Sequence, residues 1–497
     1  MNSELPIGEV HSPHGGNAPD EGIALNSCID SAYDGIHTAI SPCEPEWPSI
    51  TFANAPFEII DGDRGSNYPK QHEFSSEGHC LFLNAGNVTL SGFQFIDCAF
   101  IDEKKDALLR KGKLKRGDLV LTTRGTVGNV GYYSDSVQYE HIRINSGMVI
   151  FRPESEKILP YFLYLFLRSS LFKKQVKSLT SGSAQPQLPI RDMNRAEFLL
   201  PPLHIQKQIC EILGALDDRI ALLRETNATL EAMAQALFKS WFVDFDPVHA
   251  NAGTRAATLP AELQALFPST FTNTPQGLVP EGWRVGMLSD LCAITIGGLW
   301  GKDEQEEGTL VPAISLRGVD LENLRATGFS QEAPIRWVKP SAMEKRRLTN
   351  TEVLVAASGA GPCGRPLWAG APFEAIYGLP VIFSNFVKRF ECGTLPRAIY
   401  VDRLFAEMRA SKEIWNFING TSVPNLDDKL LLSTKKVVIP PDEILKAFSD
   451  IVEAFYERLY DQQAQTLATL RDTLLPRLIS GQLRLPDAEA ALVEAGV

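Results

Sequence analysis

ICEILGALDDRIALLRETNATLEAMAQALFKSW, residues 209–241, repeats an apolar residue every seven positions at Ile209, Leu216, Leu223, Leu230 and Leu237. Ile212, Leu213, Ile220, Met233 and Trp241 fill positions three or four later. A seam sustained over this many heptads predicts a long helix packed in coiled-coil fashion. At 1.5 Å per residue, a helix over 204–242 would span roughly 58 Å.

The end of that stretch recurs downstream. TLEAMAQALF (Thr229 to Phe238) matches TLATLRDTLL (Thr466 to Leu475) at a shift of 237. Working back from each copy, Pro201-Pro202 matches Pro440-Pro441. Earlier still, Gly182-Ser183-Ala184-Gln185-Pro186-Gln187-Leu188 matches Gly420-Thr421-Ser422-Val423-Pro424-Asn425-Leu426. Similar landmarks in the same order indicate an internal two-fold repeat. Each half also carries a β-branched run entering a tight turn, Gly117 to Leu121 and Asn350 to Val355, which reads as a strand. The second helix is expected from Ile444, Phe448, Ile451, Val452, Phe455, Leu459, Leu467, Leu470 and Leu474, with Gln463 interrupting the seam and Pro476 stopping it. The class is therefore α/β (α+β), with two globular parts and two long helices. Antiparallel pairing of the helices would put those parts at opposite ends. The alternative is that each helix covers only its own part.

At 497 residues the chain exceeds one ordinary core, and length alone suggests roughly three domain-sized units. The apolar run Ile158 to Leu167 is about half of a membrane span and ends at Arg168, so it reads as a buried helix. The N-terminus MNSELPIGEV lacks the pattern of a secretory signal. A cytoplasmic protein is expected. The eight cysteines form no CxxC pair and read as reduced thiols. All histidines lie at or before His249, which excludes a mechanism needing a catalytic His in both halves. The net charge of −12 is unevenly spread. Residues 1–50 hold eight acids and no Lys or Arg, whereas residues 101–180 carry 15 basic and 8 acidic side chains. A basic surface suited to nucleic acid thus fits inside an acidic protein.

The run Arg116-Gly117-Asp118-Leu119-Val120-Leu121-Thr122-Thr123-Arg124-Gly125-Thr126-Val127-Gly128-Asn129, followed by Ile144-Asn145-Ser146-Gly147-Met148, resembles the first target-recognition domain of type I restriction-modification specificity subunits. Phe57 to Gly65 (FEIIDGDRG) is similar to the start of that domain, and LFKSWFVDFDPV (Leu237 to Val248) and TLRDTLLPRLISGQL (Thr469 to Leu483) resemble the ends of the family's two conserved helical regions. The resemblance implies that each recognition domain reads one half of a split double-stranded DNA site while the helices set the unread gap. It further implies that the chain does no chemistry and binds no cofactor. Two modification subunits would methylate adenine using S-adenosylmethionine, and restriction subunits would add ATP- and Mg-dependent translocation and cleavage. The layout is then a leader at 1–49, a first recognition domain at 50–203, a helical region at 204–245 and a linker at 246–277 with one short helical patch around Ala261 to Leu266. A second recognition domain follows at 278–441, a second helical region at 442–480 and a tail at 481–497. The seam residues Ile209, Leu216, Leu223, Leu230, Leu237, Phe455, Leu459, Leu470 and Leu474 would form the helical contacts.

The candidate DNA-binding residues are Lys111, Lys113, Lys115, Arg116, Arg124, Thr126 and Asn129 around the first strand-turn, Ser183, Gln185 and Gln187 in the first polar loop, and Arg365, Thr421, Ser422 and Asn425 in the second half. Arg124, at the turn, is placed to reach a base edge, since Arg makes bidentate contacts with guanine. The alternatives are solvated surface charges and loop caps. Gly359-Ala360-Gly361-Pro362-Cys363-Gly364 satisfies GxGxxG, but Pro362 and Pro366 oppose a helix start and no acid follows about 20 residues on, so a plain turn is expected. Two other classes stay open. One is a self-contained nuclease or methyltransferase, for which Asn54-Ala55-Pro56-Phe57 and Asp97 with Glu103-Lys104-Lys105 are incomplete motifs. The other is a protein scaffold using the heptads alone.

Overall fold

The computed structural model describes residues 47–495 apart from 90–91, 96, 182–185, 306–308, 360 and 421–422. The leader up to residue 46, with Cys28 and Cys43, and the candidates Ser183, Gln185, Thr421 and Ser422 lie outside the described residues. Three helices carry the heptad sequences: α1 (Leu203–Phe242), α2 (Asp442–Leu459) and α3 (Gln463–Ile479). The described chain divides into a first unit, residues 47–224 and 463–495, and a second, Glu225–Gln462. The division falls inside α1 and between α2 and α3, so the helical regions are not domains of their own. Each unit combines one α/β part with half of each helical region.

In the first unit, an antiparallel sheet runs in the order Phe57–Asp61, Met148–Pro153, Leu119–Thr122, Val130–Tyr132. Leu119–Thr122 is buried along its whole length, which is why its sequence is continuously apolar up to Thr122 rather than alternating. Beside it, Cys80–Phe82 pairs antiparallel with Phe100–Ile101 and parallel with Ile142–Arg143. Ser49–Thr51 pairs with Glu197–Leu199, closing the part just before α1. Pro160–Arg168 opens with Pro at its start and buries Phe162 to Leu167, as the run's length and its terminal Arg predict.

The second unit repeats this plan. Glu352–Ala356 lies between Pro366–Trp368 and Val387–Glu391, all antiparallel. Val311–Leu316 pairs antiparallel with Ile335–Val338 and parallel with Val381–Phe383. Arg284–Met287 pairs with Lys436–Ile439 just before α2. The first unit's edge strand Phe57–Asp61 is represented here only by single bridges at Ala293 and Gly297.

Each α/β part is fastened to its helical segments through a carboxylate of α1. In the first unit, Asp217 accepts from Tyr161 Oη at 2.8 Å and Arg471 of α3 at 2.7 Å, with Arg168 at 3.7 Å. In the second, Glu231 accepts from Arg325 at 2.7 Å and Arg403 at 2.9 Å. Both guanidiniums also bind Asp402, at 2.9 and 2.7 Å, and Tyr456 of α2 donates to the same carboxylate. Asp402 and Arg403 are fully buried. Two carboxylates face two guanidiniums, so the buried cluster carries no net charge. Apolar packing surrounds it: Phe238, Trp241 and Phe242 all meet the Phe448 ring at 5.0–6.0 Å between centroids.

The heptad seam is buried at Ile209, Leu216, Leu223, Leu459, Leu470 and Leu474 and half-buried at Leu230, Leu237 and Phe455. Met233, expected in the seam, is exposed, and its place is taken by Ala234 and Phe238. Pro476 does not stop the second helical region, because α3 continues to Ile479. The interruption instead comes at Tyr460 to Gln462, where Gln462 takes φ +61 and donates to the Gly328 carbonyl at 3.0 Å. The stretch read as a linker, 246–277, is folded: it holds helices Asp246–Asn251 and Ala261–Gln264 and half of a hairpin, Phe271–Thr274 with Gly277–Pro280. Val248 and Phe267 are buried there, Phe267 against Trp241 at 5.0 Å. The Ala- and Thr-rich composition hid these isolated apolar anchors.

Arg403→Ala would leave Asp402 and Glu231 short of a buried partner and is expected to cost about 3–5 kcal/mol of stability. Denaturant unfolding of the full chain measures it, with the exposed Lys446→Ala as the near-neutral comparison.

Candidate nucleic-acid interface

In the first unit the strand Leu119–Thr122 runs out into the turn Thr123 to Gly128. Gly125 and Gly128 take left-handed backbone, φ +74° and +100°, which side chains with a Cβ resist. Thr122 Oγ1 donates to the Thr126 carbonyl inside the turn. Two other loops are tied to it by backbone. Thr123 N–H donates to the Gly147 carbonyl at 2.8 Å, and Leu188 N–H donates to the Thr123 carbonyl at 3.0 Å. Arg124 and Gln187 stand opposite each other in a bridge. A fourth loop arrives from Asp61 to Gly65: Arg64 bonds Asp61 at 3.1 Å and the Ser146 carbonyl at 3.2 Å. A Cβ on Gly62 would stand 2.4 Å from the Asn145 carbonyl oxygen, so only glycine permits that approach. Asp61, Arg64, Arg124, Gln187 and Pro189 border a shallow depression of about 200 Å³.

Arg124 and Thr126 are exposed, and among the described residues no ion pair involves Arg124. Lys111 and Lys115 are exposed as well. The other basic candidates have partners within the fold. Lys113 pairs with buried Asp106, which also binds Arg143. Arg116 donates to the Ser134 and Val137 carbonyls at 2.5 and 2.9 Å and lies 4.2 Å over the Tyr133 ring. Asn129 turns inward, its amide donating to the Val88 carbonyl at 2.9 Å. These groups satisfy buried acceptors, a demand that spacing in the sequence does not reveal. Arg64, which the sequence reading did not single out, joins the cluster. The signal was there in a basic residue within the glycine-rich loop Asp61-Gly62-Asp63-Arg64-Gly65.

The second unit builds the same join from different side chains. Ala357 N–H donates to the Phe386 carbonyl at 2.8 Å, and Leu426 N–H donates to the Ala357 carbonyl at 2.8 Å. Ser358 stands opposite Asn425 in a bridge, and both copies of the polar loop thus dock on the strand-turn by equivalent bonds. Arg365, expected to face DNA, is ion-paired with Glu322. Gly361 to Gly364 lie in a turn that leads into the strand Pro366–Trp368, antiparallel to Glu352–Ala356, so among the described residues no helix follows to receive a dinucleotide phosphate.

The incomplete enzymatic motifs are also engaged. Lys105 pairs with Glu73 at 2.8 Å, and Asn54 binds Thr51 at 3.2 Å. Among the described residues no group of three or more His, Cys, Asp or Glu is placed to hold a metal ion. No helix among them is long and apolar enough to cross a membrane.

Known proteins share this sequence pattern. A family model described as Type I restriction modification DNA specificity domain matches residues 57–232. The Type I restriction enzyme HindI specificity subunit of Haemophilus influenzae is 25% identical over 469 residues, covering 85% of this chain and 98% of the relative. The MjaIX specificity subunit of Methanocaldococcus jannaschii is 25% identical over 383 residues, covering 75% and 79%. Among solved structures, the S subunit of a type I restriction-modification system from M. genitalium aligns over 89% of this chain and 97% of its own, with 15% identity and a TM-score of 0.46.

Burial alone would raise the Asp106 carboxyl, but bonds from Lys113 and Arg143 outweigh it and bring the value from 3.8 down to about 2. The stabilisation from this lowered carboxyl is complete above its unfolded value and is lost as pH falls through the folded one. Thermal melts of the full chain between pH 4 and pH 2 are therefore expected to show a steeper loss for the native protein than for Asp106→Asn, which starts lower. Parallel curves would refute this assignment.

Proposed function

We propose that this chain is a specificity subunit of a type I restriction-modification enzyme, like the relatives it matches, and that each of its α/β parts reads one half of a split DNA target. The chain is a DNA-recognition subunit and not itself catalytic. The observation that carries the bipartite reading is the repeated join of strand-turn and polar loop, Arg124 with Gln187 and Ser358 with Asn425. A rigid backbone frame presents different side chains in each copy, as two recognition modules for different sequences require. Arg64, Arg124 and Gln187 offer the donors for base edges in the first half-site, and Lys111 and Lys115 lie on the same part for phosphate. Thr126, Ser183, Gln185, Thr421, Ser422 and Asn425 are proposed as polar contacts.

The helical regions are proposed to act as an antiparallel, coiled-coil-like spacer. In support, within the second unit the earlier residue Glu231 is linked through Arg403 to Tyr456, and the later Trp241 meets the earlier Phe448. Leu222 and Met233 of α1 expose apolar side chains at 52% and 50%, surfaces suited to two modification subunits. Those partners would carry S-adenosylmethionine, and restriction subunits ATP and Mg, with the whole assembly in the cytoplasm. A self-contained enzyme is disfavoured by the engaged motifs. A scaffold without DNA is disfavoured by the family relationship.

Two experiments test the reading. Arg124→Ala should weaken binding of the preferred duplex by about 1–3 kcal/mol and relax preference within one half-site, with the melting temperature unchanged. Equal loss on all sequences would make Arg124 a phosphate contact instead. Removing one heptad between Ile209 and Leu237 should change the gap in the methylated-adenine motif or abolish assembly, and an intact complex with an unaltered gap would refute the spacer.

A further inference from the structure

We infer that Phe386 is a specificity-determining residue of the second α/β part, reading the methyl edge of a thymine. The inference rests on the DNA-recognition reading above and deepens it. The two joins place Phe386 where the first unit has Gly147, since Thr123 N–H bonds the Gly147 carbonyl and Ala357 N–H bonds the Phe386 carbonyl, both at 2.8 Å. The same frame matches Arg124 with Ser358. In the first unit a Cβ built on Gly147 would lie 3.7 Å from the Arg124 Cβ, so the two positions are neighbours. Large and small are exchanged between the copies: Arg beside Gly in one, Ser beside Phe in the other.

Phe386 is 47% exposed and Val423, in the docked polar loop, 62%. Two apolar side chains thus stand in solvent at the tip that the first unit furnishes with Arg124 and Gln187. The ring is also held in place. Trp300 meets it edge-on at 6.1 Å, and the Arg336 guanidinium lies 4.4 Å over the Trp300 ring. Arg336 is buried and donates to the Trp300 and Gly301 carbonyls at 3.2 and 3.1 Å. Among the described residues, Lys388 is ion-paired with Asp428 at 3.1 Å and Arg365 with Glu322. Guanine offers acceptors in the major groove and calls for a donor, whereas thymine alone offers a methyl group that an apolar side chain covers. A fixed, exposed phenyl ring, with Lys388 and Arg365 both ion-paired, matches thymine.

The test uses the full-length chain assembled with its modification subunits, on duplexes carrying its methylated-adenine target. Each thymine of the half-site read by the second part is replaced singly by deoxyuridine, which lacks only the methyl. One replacement is expected to weaken the wild type about fourfold, the worth of one buried carbon. Phe386→Ala should lose that sensitivity, keep its preferences in the other half-site and melt at the wild-type temperature. Phe386→Leu should retain part of it. Wild-type indifference to every deoxyuridine, or an undiminished penalty in Phe386→Ala, would overturn the inference. A wild-type complex with no sequence preference would instead overturn the DNA-recognition reading on which it rests, a distinct result.

Discussion

The fold depends on two carboxylates that α1 presents two heptads apart, Asp217 and Glu231. Each meets arginines from an α/β part together with a group from the second helical region, Arg471 in one unit and Tyr456, through Arg403, in the other. Apolar seams tolerate sliding and rotation, because dispersion and hydrophobic burial have little directionality. A buried guanidinium–carboxylate contact does not, since its bonds are fixed in geometry and an unmatched charge is costly there. The angle at which each α/β part sits on its helical segments is therefore set by these junctions, while the leucines supply the bulk of the burial. For a protein proposed to measure distance along DNA, that division of labour matters more than stability.

The same separation of frame and content governs the recognition tips. Backbone bonds join strand-turn, polar loop and a third loop in both units, at Thr123, Gly147 and Leu188 and again at Ala357, Phe386 and Leu426. Because main-chain groups make the join, the side chains at Arg124 and Ser358, or Gly147 and Phe386, are released to differ. Specificity can diverge without disturbing the fold. Several basic residues near the first tip serve the frame instead: Arg143 and Lys113 neutralise Asp106, and Arg116 caps carbonyls beneath Tyr133. Local positive charge in the sequence thus includes groups that the fold uses internally.

The heptad stripe, the loop–proline–helix repeat and the strand entering the first turn were legible because each is a local pattern with a fixed period or a fixed chemistry. Leu216 and Leu223 are buried as their spacing predicts, and Leu188 and Leu426, which end the matched loop sequences, make equivalent backbone bonds. Residues whose role depends on distant partners were not legible. Asn129 answers Val88, 41 residues away, and Arg403 answers a helix far away in the chain. Of the folded stretch at 246–277 only the helical patch near Ala261 was legible; the rest escaped detection because Val248 and Phe267 are single anchors in polar surroundings, and only Trp241 and its neighbours give them a core.

Sequence by itself determined the two-fold plan and the helical regions, because periodicity and repeated loop chemistry survive without knowledge of contacts. Tertiary structure alone decided which charges are available. Whether an arginine faces solvent or a buried acceptor is set by what the fold brings within about 3 Å of it, and that proximity has no signature in spacing along the chain. It also decided where the units divide, within α1 rather than at its ends, since burial of a helix follows the surfaces packed against it and not the limits of its own hydrogen-bond ladder.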